Sequence, residues 1–202
     1  NVSCPNVHGG CEFGADPRAL AELVREVRGV VRTKPLFVKL SPVTVGTPAT
    51  IVDLARAAID PTPGPGGGAS GGPGGRPGAD GLVLCNTVPA MGIDVETRRP
   101  RLANVTGGLS GPAVHAVAVR MVHLVYRGIA RDAGVPLVGL GGVTGGRDAA
   151  EFVLAGASAV QMGTALFADP RAPVGVARGL AKWARRQGAQ NVSELVGAVV
   201  LE

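Results

Sequence analysis

A chain of 202 residues, 46% hydrophobic but only 3% aromatic, can bury one sizeable core, and that core has to be aliphatic, built from Val, Ala and Leu. The net charge of +5 rests on 17 Arg and 3 Lys, yet these are spread along helices and loops with almost no aromatic stacking partners, which argues against a nucleic-acid surface. Three cysteines without a C-x-x-C pair exclude a disulfide framework and a zinc knuckle and fit a reducing, cytoplasmic setting, and no run of about 18 apolar residues marks a membrane span.

The opening stretch, NVSCPNVHGG, holds Cys4 between Asn1 and Asn6, with Pro5 and Gly9-Gly10 shaping the backbone. It reads as an active-site loop at the end of a strand that would precede Asn1. Asp16 and Pro17 supply the N-cap and first position of a helix running to about Thr33. Residues 35–42, PLFVKLSP, read as a buried strand, and 48–60 as a helix. Residues 61–78 contain nine Gly and five Pro and read as a disordered surface insertion. Strands follow at 80–87, 135–143 and 157–167, with helices at 111–134, 147–156 and 173–188 and a short one at 191–200. Strand–helix alternation means parallel α/β. Four strands plus the tail of a fifth make the C-terminal part of a (β/α)8 barrel lacking its early strands, because a whole barrel takes ~250 residues. The chain, 1–202, is expected to be one partial barrel domain interrupted by the insertion.

In such a barrel the chemistry gathers at the C-terminal ends of the strands. Lys39 lies inside an apolar strand; Cys85, Asn86 and Thr87 end the next; Gly139, Gly141 and Gly142 end the third; Gly163 and Thr164 follow the fourth. The clusters GGLSGPA (107–113) and GLGGVTGG (139–146) each open a helix, and MGTAL supplies another pair of exposed amides. Glycine lets backbone N–H groups approach an anion closely, so three clusters at consecutive strand ends point to a phosphorylated cofactor. Lys39 has two readings: an ion pair with a buried carboxylate, or a charge set against an anionic ring such as a reduced flavin. A cysteine thiolate can act as a base, and asparagine amides can read a ring of alternating C=O and N–H groups. His8, Cys11, His115, His123 and Trp183 are read as loop, packing or surface residues.

The stretches NVSCPNVHGGCEFGAD, PLFVKLSP, LCNTVPAMGIDVETRRPRLANVTGGLSGPA, GLGGV and AGASAVQMGTALFADP, in that order, resemble class 1 dihydroorotate dehydrogenases, above all the catalytic subunit of the 1B type. The resemblance implies a TIM barrel holding FMN that oxidises dihydroorotate to orotate in pyrimidine synthesis. It implies Cys4 as the base for the C5 proton, and Asn1, Asn6, Asn86 and Thr87 as orotate ligands. It implies Asn1, Lys39, Cys85, Gly111, Gly141, Gly142, Gly163 and Thr164 as FMN contacts. It further implies a cytoplasmic homodimer joined to an electron-transfer subunit with FAD and an iron–sulfur cluster, NAD⁺ being the final acceptor. The family's substrate lysine lies in strands that would precede Asn1, so the chain by itself is expected to be inactive. Two alternatives stay open: a flavin barrel like that of dihydropyrimidine dehydrogenase, whose loop runs PHG where this one runs PNVHGG, and a non-catalytic barrel fragment that only binds a partner. A phosphate-binding barrel without flavin would leave the Asn/Cys/Asn loop and Lys39 unexplained.

Overall fold

A computed structural model describes residues 1–3, 14–42, 48–61, 75 and 77–201. The insertion expected at 61–78 falls mostly on 62–74 and 76, outside the described residues. Four parallel strands form the main sheet: β1 (Phe37–Lys39), β2 (Gly81–Leu84), β7 (Leu137–Leu140) and β8 (Ala159–Gln161), in the spatial order β1-β2-β7-β8. The order in space is the order in the chain. The helices α1 (Pro17–Val30), α2 (Ile51–Ile59), α3 (His115–Val125), α4 (Gly146–Ala155) and α6 (Ala172–Arg186) likewise pack each against the next, while α5 (Ala165–Ala168) is a single turn between β8 and α6. A doubly wound sheet would reverse direction at a switch point, whereas steady progression in one sense is the winding of a (β/α)8 barrel arc.

Strand alternation separates the two faces of this sheet. Val38, Leu82 and Leu137 stand in register across β1, β2 and β7 and belong to the buried core. This face carries the helices: one residue row further on, Leu84 pairs with Gly139, where a Cβ would collide with the Phe152 ring of α4. The alternate row, Lys39, Val83, Val138 and Ala159, lies on the opposite face. The core is aliphatic as composition requires, with Leu20, Leu40, Leu54, Leu82, Leu84 and Leu137 fully buried and Phe152 the large aromatic among them. Each such side chain contributes about 1.5–3 kcal/mol by leaving water.

The helices start where their caps dictate. Asp16 accepts from the Arg18 amide at 2.8 Å, and Pro17 occupies the first turn, so α1 begins there and buries Leu20, Val24 and Arg28 on one stripe. Thr50 and Asp53 form a reciprocal capping box that opens α2. Arg28 is 1% exposed. It donates to the Gly78 carbonyl from Nε and Nη2, to the Val31 carbonyl, and to Asp80 Oδ2 at 2.6 Å, and the same carboxylate oxygen accepts from the Leu36 amide. One buried cation thus ties the end of α1 to the entrances of β1 and β2.

Several expected elements are shorter or different. The strand expected over 157–167 spans only Ala159–Gln161, and its tail turns into α5 after Gly163 and Thr164. The helix expected over 191–200 is one 3-10 turn, Val192–Leu195. The helix at 111–134 is continuous but not uniform: a 3-10 turn, Pro112–Val114, leads into α3, and a π turn, Tyr126–Ala130, follows it before a last turn at Arg131–Ala133. Between β2 and that helix lie two antiparallel pairs that sequence reading does not anticipate, β3 (Val88–Ala90) with β6 (Gly107–Leu109) and β4 (Ile93–Asp94) with β5 (Arg99–Pro100). They are too short to show a period of two, and Pro89 and Pro100 are tolerated because these ribbons have free edges.

Candidate functional site

The carboxyl ends of all four parallel strands open onto one cavity of about 550 Å³. β1 brings Lys39, the end of β2 brings Cys85, Asn86 and Thr87, the loop after β7 brings Gly141, Gly142, Val143 and Thr144, and the loop after β8 brings Gly163 and Thr164. Ser110 and Gly111 enter from the segment before α3. Nine of the residues singled out in the sequence therefore border one space. Asn1 joins them at the rim through Asn86. Cys4 and Asn6 lie outside the described residues.

Glycine is required at this rim for two different reasons. Gly111 (φ +79°), Gly141 (φ +143°) and Gly142 (φ +66°) have backbones that other residues rarely adopt. A Cβ on Gly142 would also sit 2.7 Å from the Gly111 carbonyl oxygen and 3.1 Å from Pro112 Cα. Gly163 is the opposite case: a Cβ there would meet no protein atom within 4 Å. Such a cradle of bare backbone beside open space fits a phosphate group, which takes N–H donors at close range.

The charge at the site comes from Lys39. Among the described residues no carboxylate pairs with it, so the ion-pair reading does not hold for them, and its ammonium faces the cavity beside Cys85. Cys85 is 2% exposed, and burial pushes its thiol up to about 11, while the Lys39 charge pulls the other way. At neutral pH this sulfur is a thiol, suited to packing and unsuited to accepting a proton. The Leu84–Cys85 peptide is cis.

The first residues are fastened to this edge of the sheet. The Val2 amide donates to the Lys39 carbonyl at 3.4 Å, placing the segment beside β1 as the end of a neighbouring strand would lie. Asn86 Nδ2 donates to the Ser3 carbonyl at 2.7 Å and to Ser3 Oγ at 2.8 Å, and lies 3.4 Å from Asn1 Oδ1. Ser3 Oγ in turn donates to Asn1 Oδ1 at 2.9 Å, and Asn86 Oδ1 accepts from the Thr87 amide. The amide side chains of Asn1 and Asn86 are thereby brought together with the residue that precedes Cys4.

Sequence reading missed four contributors. Ser110 and Thr144 stand inside glycine clusters that were noted for their backbone only, and Phe167, 92% exposed, belonged to what read as a strand. Sequence reading takes His115 for a packing or surface residue, but its Nδ1 lies 2.9 Å from the Gly141 carbonyl oxygen. The signal available was its spacing, one helical turn after Gly111, facing the next glycine cluster.

Comparison with known proteins accords with this geometry. The family model for dihydroorotate dehydrogenase matches residues 1–60 and 75–183. The chain is 46% identical over 200 residues to the catalytic subunit of dihydroorotate dehydrogenase B (NAD(+)) from Pelobacter propionicus, an alignment covering 98% of this chain and 58% of that protein. It is 44% identical over 200 residues to the protein of the same name from Geobacter metallireducens, covering 98% and 57%. A relative from Solibacter usitatus, 45% identical over 98% of this chain and 58% of its own length, is provisionally named dihydroorotate dehydrogenase A (fumarate). The chain thus spans less than two thirds of the curated relatives it matches. Among solved structures, a dihydroorotate dehydrogenase from Eimeria tenella in complex with ferulenol superposes with a TM-score of 0.74 over 98% of this chain and 52% of that one; at 24% identity this speaks for the fold. A matching family model over most of the chain and close relatives along its whole length place this protein in the dihydroorotate dehydrogenase family, with a likeness to the B-type catalytic subunits.

Proposed function

We propose that this chain carries the FMN seat and most of the catalytic residues of an enzyme that oxidises dihydroorotate to orotate in pyrimidine synthesis. The observation that supports it above the others is the single cavity in which Lys39, Cys85, Asn86, Thr87, Gly111, Gly141, Gly142, Gly163 and Thr164 meet. Gly111, Gly141, Gly142, Gly163 and Thr164 hold the phosphate end of FMN with backbone N–H groups and a hydroxyl. Lys39 and Cys85 border its ring, Lys39 supplying a cation and Cys85 a neutral surface. Asn1, Asn6, Asn86 and Thr87 bind the substrate ring, each asparagine amide offering one donor face and one acceptor face; Asn1 also reaches the cofactor. Cys4 takes the proton from C5 of dihydroorotate, a role the neutral Cys85 thiol is unfit for. When bound, FMN supplies the two-electron acceptor for the hydride that leaves C6, so that the C5–C6 bond becomes the double bond of orotate. The working enzyme is a cytoplasmic homodimer joined to a subunit with FAD and an iron–sulfur cluster, through which electrons reach NAD⁺.

The test is anaerobic addition of dihydroorotate to the FMN-loaded protein, with the part of the Pelobacter propionicus relative that this chain does not span supplied by fusion. Loss of the visible band of oxidised flavin, matched by orotate formation and abolished in Cys4→Ala, is the expected result. A protein whose FMN is reduced by dihydrouracil and not by dihydroorotate would place it with dihydropyrimidine dehydrogenase. A protein that takes up no flavin at all would leave a barrel without this chemistry. NAD⁺ or fumarate as the acceptor is then decided by which of them reoxidises the reduced protein with the partner subunit present.

A further inference from the structure

His115 stands behind the glycine loop and outside the cavity. Its Nδ1 lies 2.9 Å from the Gly141 carbonyl oxygen, which can only accept, so Nδ1 carries the proton and donates. The Phe152 ring meets the imidazole edge-on, centroids 5.1 Å apart, and fixes its plane. The Gly141 carbonyl belongs to the same peptide unit as the Gly142 N–H. In a planar trans peptide these two groups point in opposite directions. A side chain that grips the carbonyl from behind therefore aims the Gly142 N–H away from itself, and Gly142 borders the cavity. No acceptor among the described residues takes that N–H.

The rest of the loop is held from the same side. Asp148 Oδ2, in the first turn of α4, accepts from the Thr144 amide at 2.7 Å, the Thr144 hydroxyl at 2.8 Å and the Gly145 amide at 2.9 Å. Glu151 Oε2 lies 3.6 Å from His115 Nε2, an atom that is buried and makes no hydrogen bond. Although His115, Asp148 and Glu151 have ligand atoms within 4.8 Å of one another, the Asp148 oxygen is already committed to the loop, so the group reads as a brace and not as a metal centre.

Resting on the FMN reading above, we propose that His115 is a positioning residue that, through Gly141, points the Gly142 N–H at the phosphate of the cofactor. The role is specific: removing the Nδ1 donor should weaken the phosphate-bearing flavin and leave riboflavin, which has no phosphate, unaffected.

The experiment uses the chain labelled with ¹⁵N-glycine and two variants. His115→Phe keeps a ring but loses the donor; His115→Asn offers an amide N–H where Nδ1–H stood. Without any flavin, the Gly142 amide resonance is expected to move in His115→Phe and to return towards its native position in His115→Asn. With flavin, His115→Phe is expected to lower FMN affinity about tenfold, the worth of one well-placed hydrogen bond, with riboflavin affinity unchanged and His115→Asn recovering most of the loss. An unmoved Gly142 resonance in His115→Phe overturns the proposal, as does equal loss of FMN and riboflavin or no recovery in His115→Asn. If the native chain binds neither flavin while Gly142 still responds to His115, the contact exists but the flavin reading fails, and the assignment of this N–H to a flavin phosphate fails with it.

Discussion

Gly163→Ala separates what the cavity holds from what the fold needs. The backbone at Gly163 is not in the left-handed region, and an added Cβ would meet no protein atom within 4 Å. The substitution should therefore leave stability within about 0.5 kcal/mol of the native chain, or raise it slightly by reducing the freedom of the unfolded state. The methyl group would occupy space at the rim of the cavity where the cofactor is proposed to lie. Forcing one extra carbon into a packed contact costs roughly 1–3 kcal/mol, which is about 5- to 150-fold in affinity at ~1.4 kcal/mol per decade. Gly142→Ala is the control with the opposite pattern. Its φ of +66° and the Gly111 carbonyl 2.7 Å from the new Cβ make the variant strained before any ligand arrives, and a loss of more than ~1–2 kcal/mol of stability is expected from the backbone alone. Urea unfolding gives the stabilities, and quenching of flavin fluorescence on titration gives the affinities. Native stability together with native FMN affinity in Gly163→Ala would refute the reasoning, because the ligand would then not touch a rim position that has room for a methyl group and an unstrained backbone.

Three further outcomes follow from ionisable side chains. Arg28→Leu should cost about 3–5 kcal/mol, since it removes the guanidinium paired with the Asp80 carboxylate and the donors to the Gly78 carbonyl beside the core; pairing it with Asp80→Asn in a double-mutant cycle should recover part of that loss in urea unfolding. Cys85 has its thiol raised from 9.0 to about 11, so its contribution to stability is intact below pH 9 and is lost as pH rises to 11. The native chain should therefore lose up to about 3 kcal/mol over that window relative to Cys85→Ala, and identical pH profiles for the two would contradict the burial. Asp148 would be raised by its burial, but the Thr144 and Gly145 donors and the nearby His115 outweigh this and hold its carboxyl below the ordinary 3.8. Its stabilisation is thus present above that value and disappears as pH falls through the lowered one; Asp148→Asn should cost ~1–2 kcal/mol at neutral pH and converge with the native chain in acid.

The barrel arc was legible because buried parallel strands and amphipathic helices have different periods, and because caps such as Asp16-Pro17 and Thr50/Asp53 are local chemistry. The cavity was legible for a related reason: Lys39 ends its strand, Cys85, Asn86, Gly141, Gly142 and Gly163 lie just past theirs, and the winding of the fold collects strand ends. What stayed hidden depends on contacts between distant segments. Arg28 looks like any helix arginine until the fold brings Gly78 and Asp80 against it, 50 and 52 residues away. His115 looks like packing until the loop after β7 lays its carbonyl over the ring. The antiparallel ribbons between β2 and α3 are two or three residues long, below the length at which alternation can be distinguished from chance.

The two ends of the site are secured by different means. At the proposed phosphate end the groups on offer are backbone N–H donors and the Thr164 hydroxyl, so their placement depends on dihedral angles that glycines permit and on the contacts that His115 and Asp148 make with the loop from behind. At the proposed substrate end the groups on offer are side-chain amides, whose donors and acceptors must be aimed one by one, and here Asn86 already has partners. It spends its Nδ2 on Ser3 and its Oδ1 on the Thr87 amide. On the proposed reading, a substrate carbonyl accepting from Asn86 Nδ2 has to displace the contact with Ser3 Oγ or share it, whereas a substrate N–H would use the second lone pair of Oδ1. Ser3 precedes Cys4, so the proposed substrate site at Asn86 and the proposed base are linked through one hydroxyl. That link consists of covalently adjacent residues and a 2.8 Å hydrogen bond, so it fixes Asn86 relative to the residue before the proposed base.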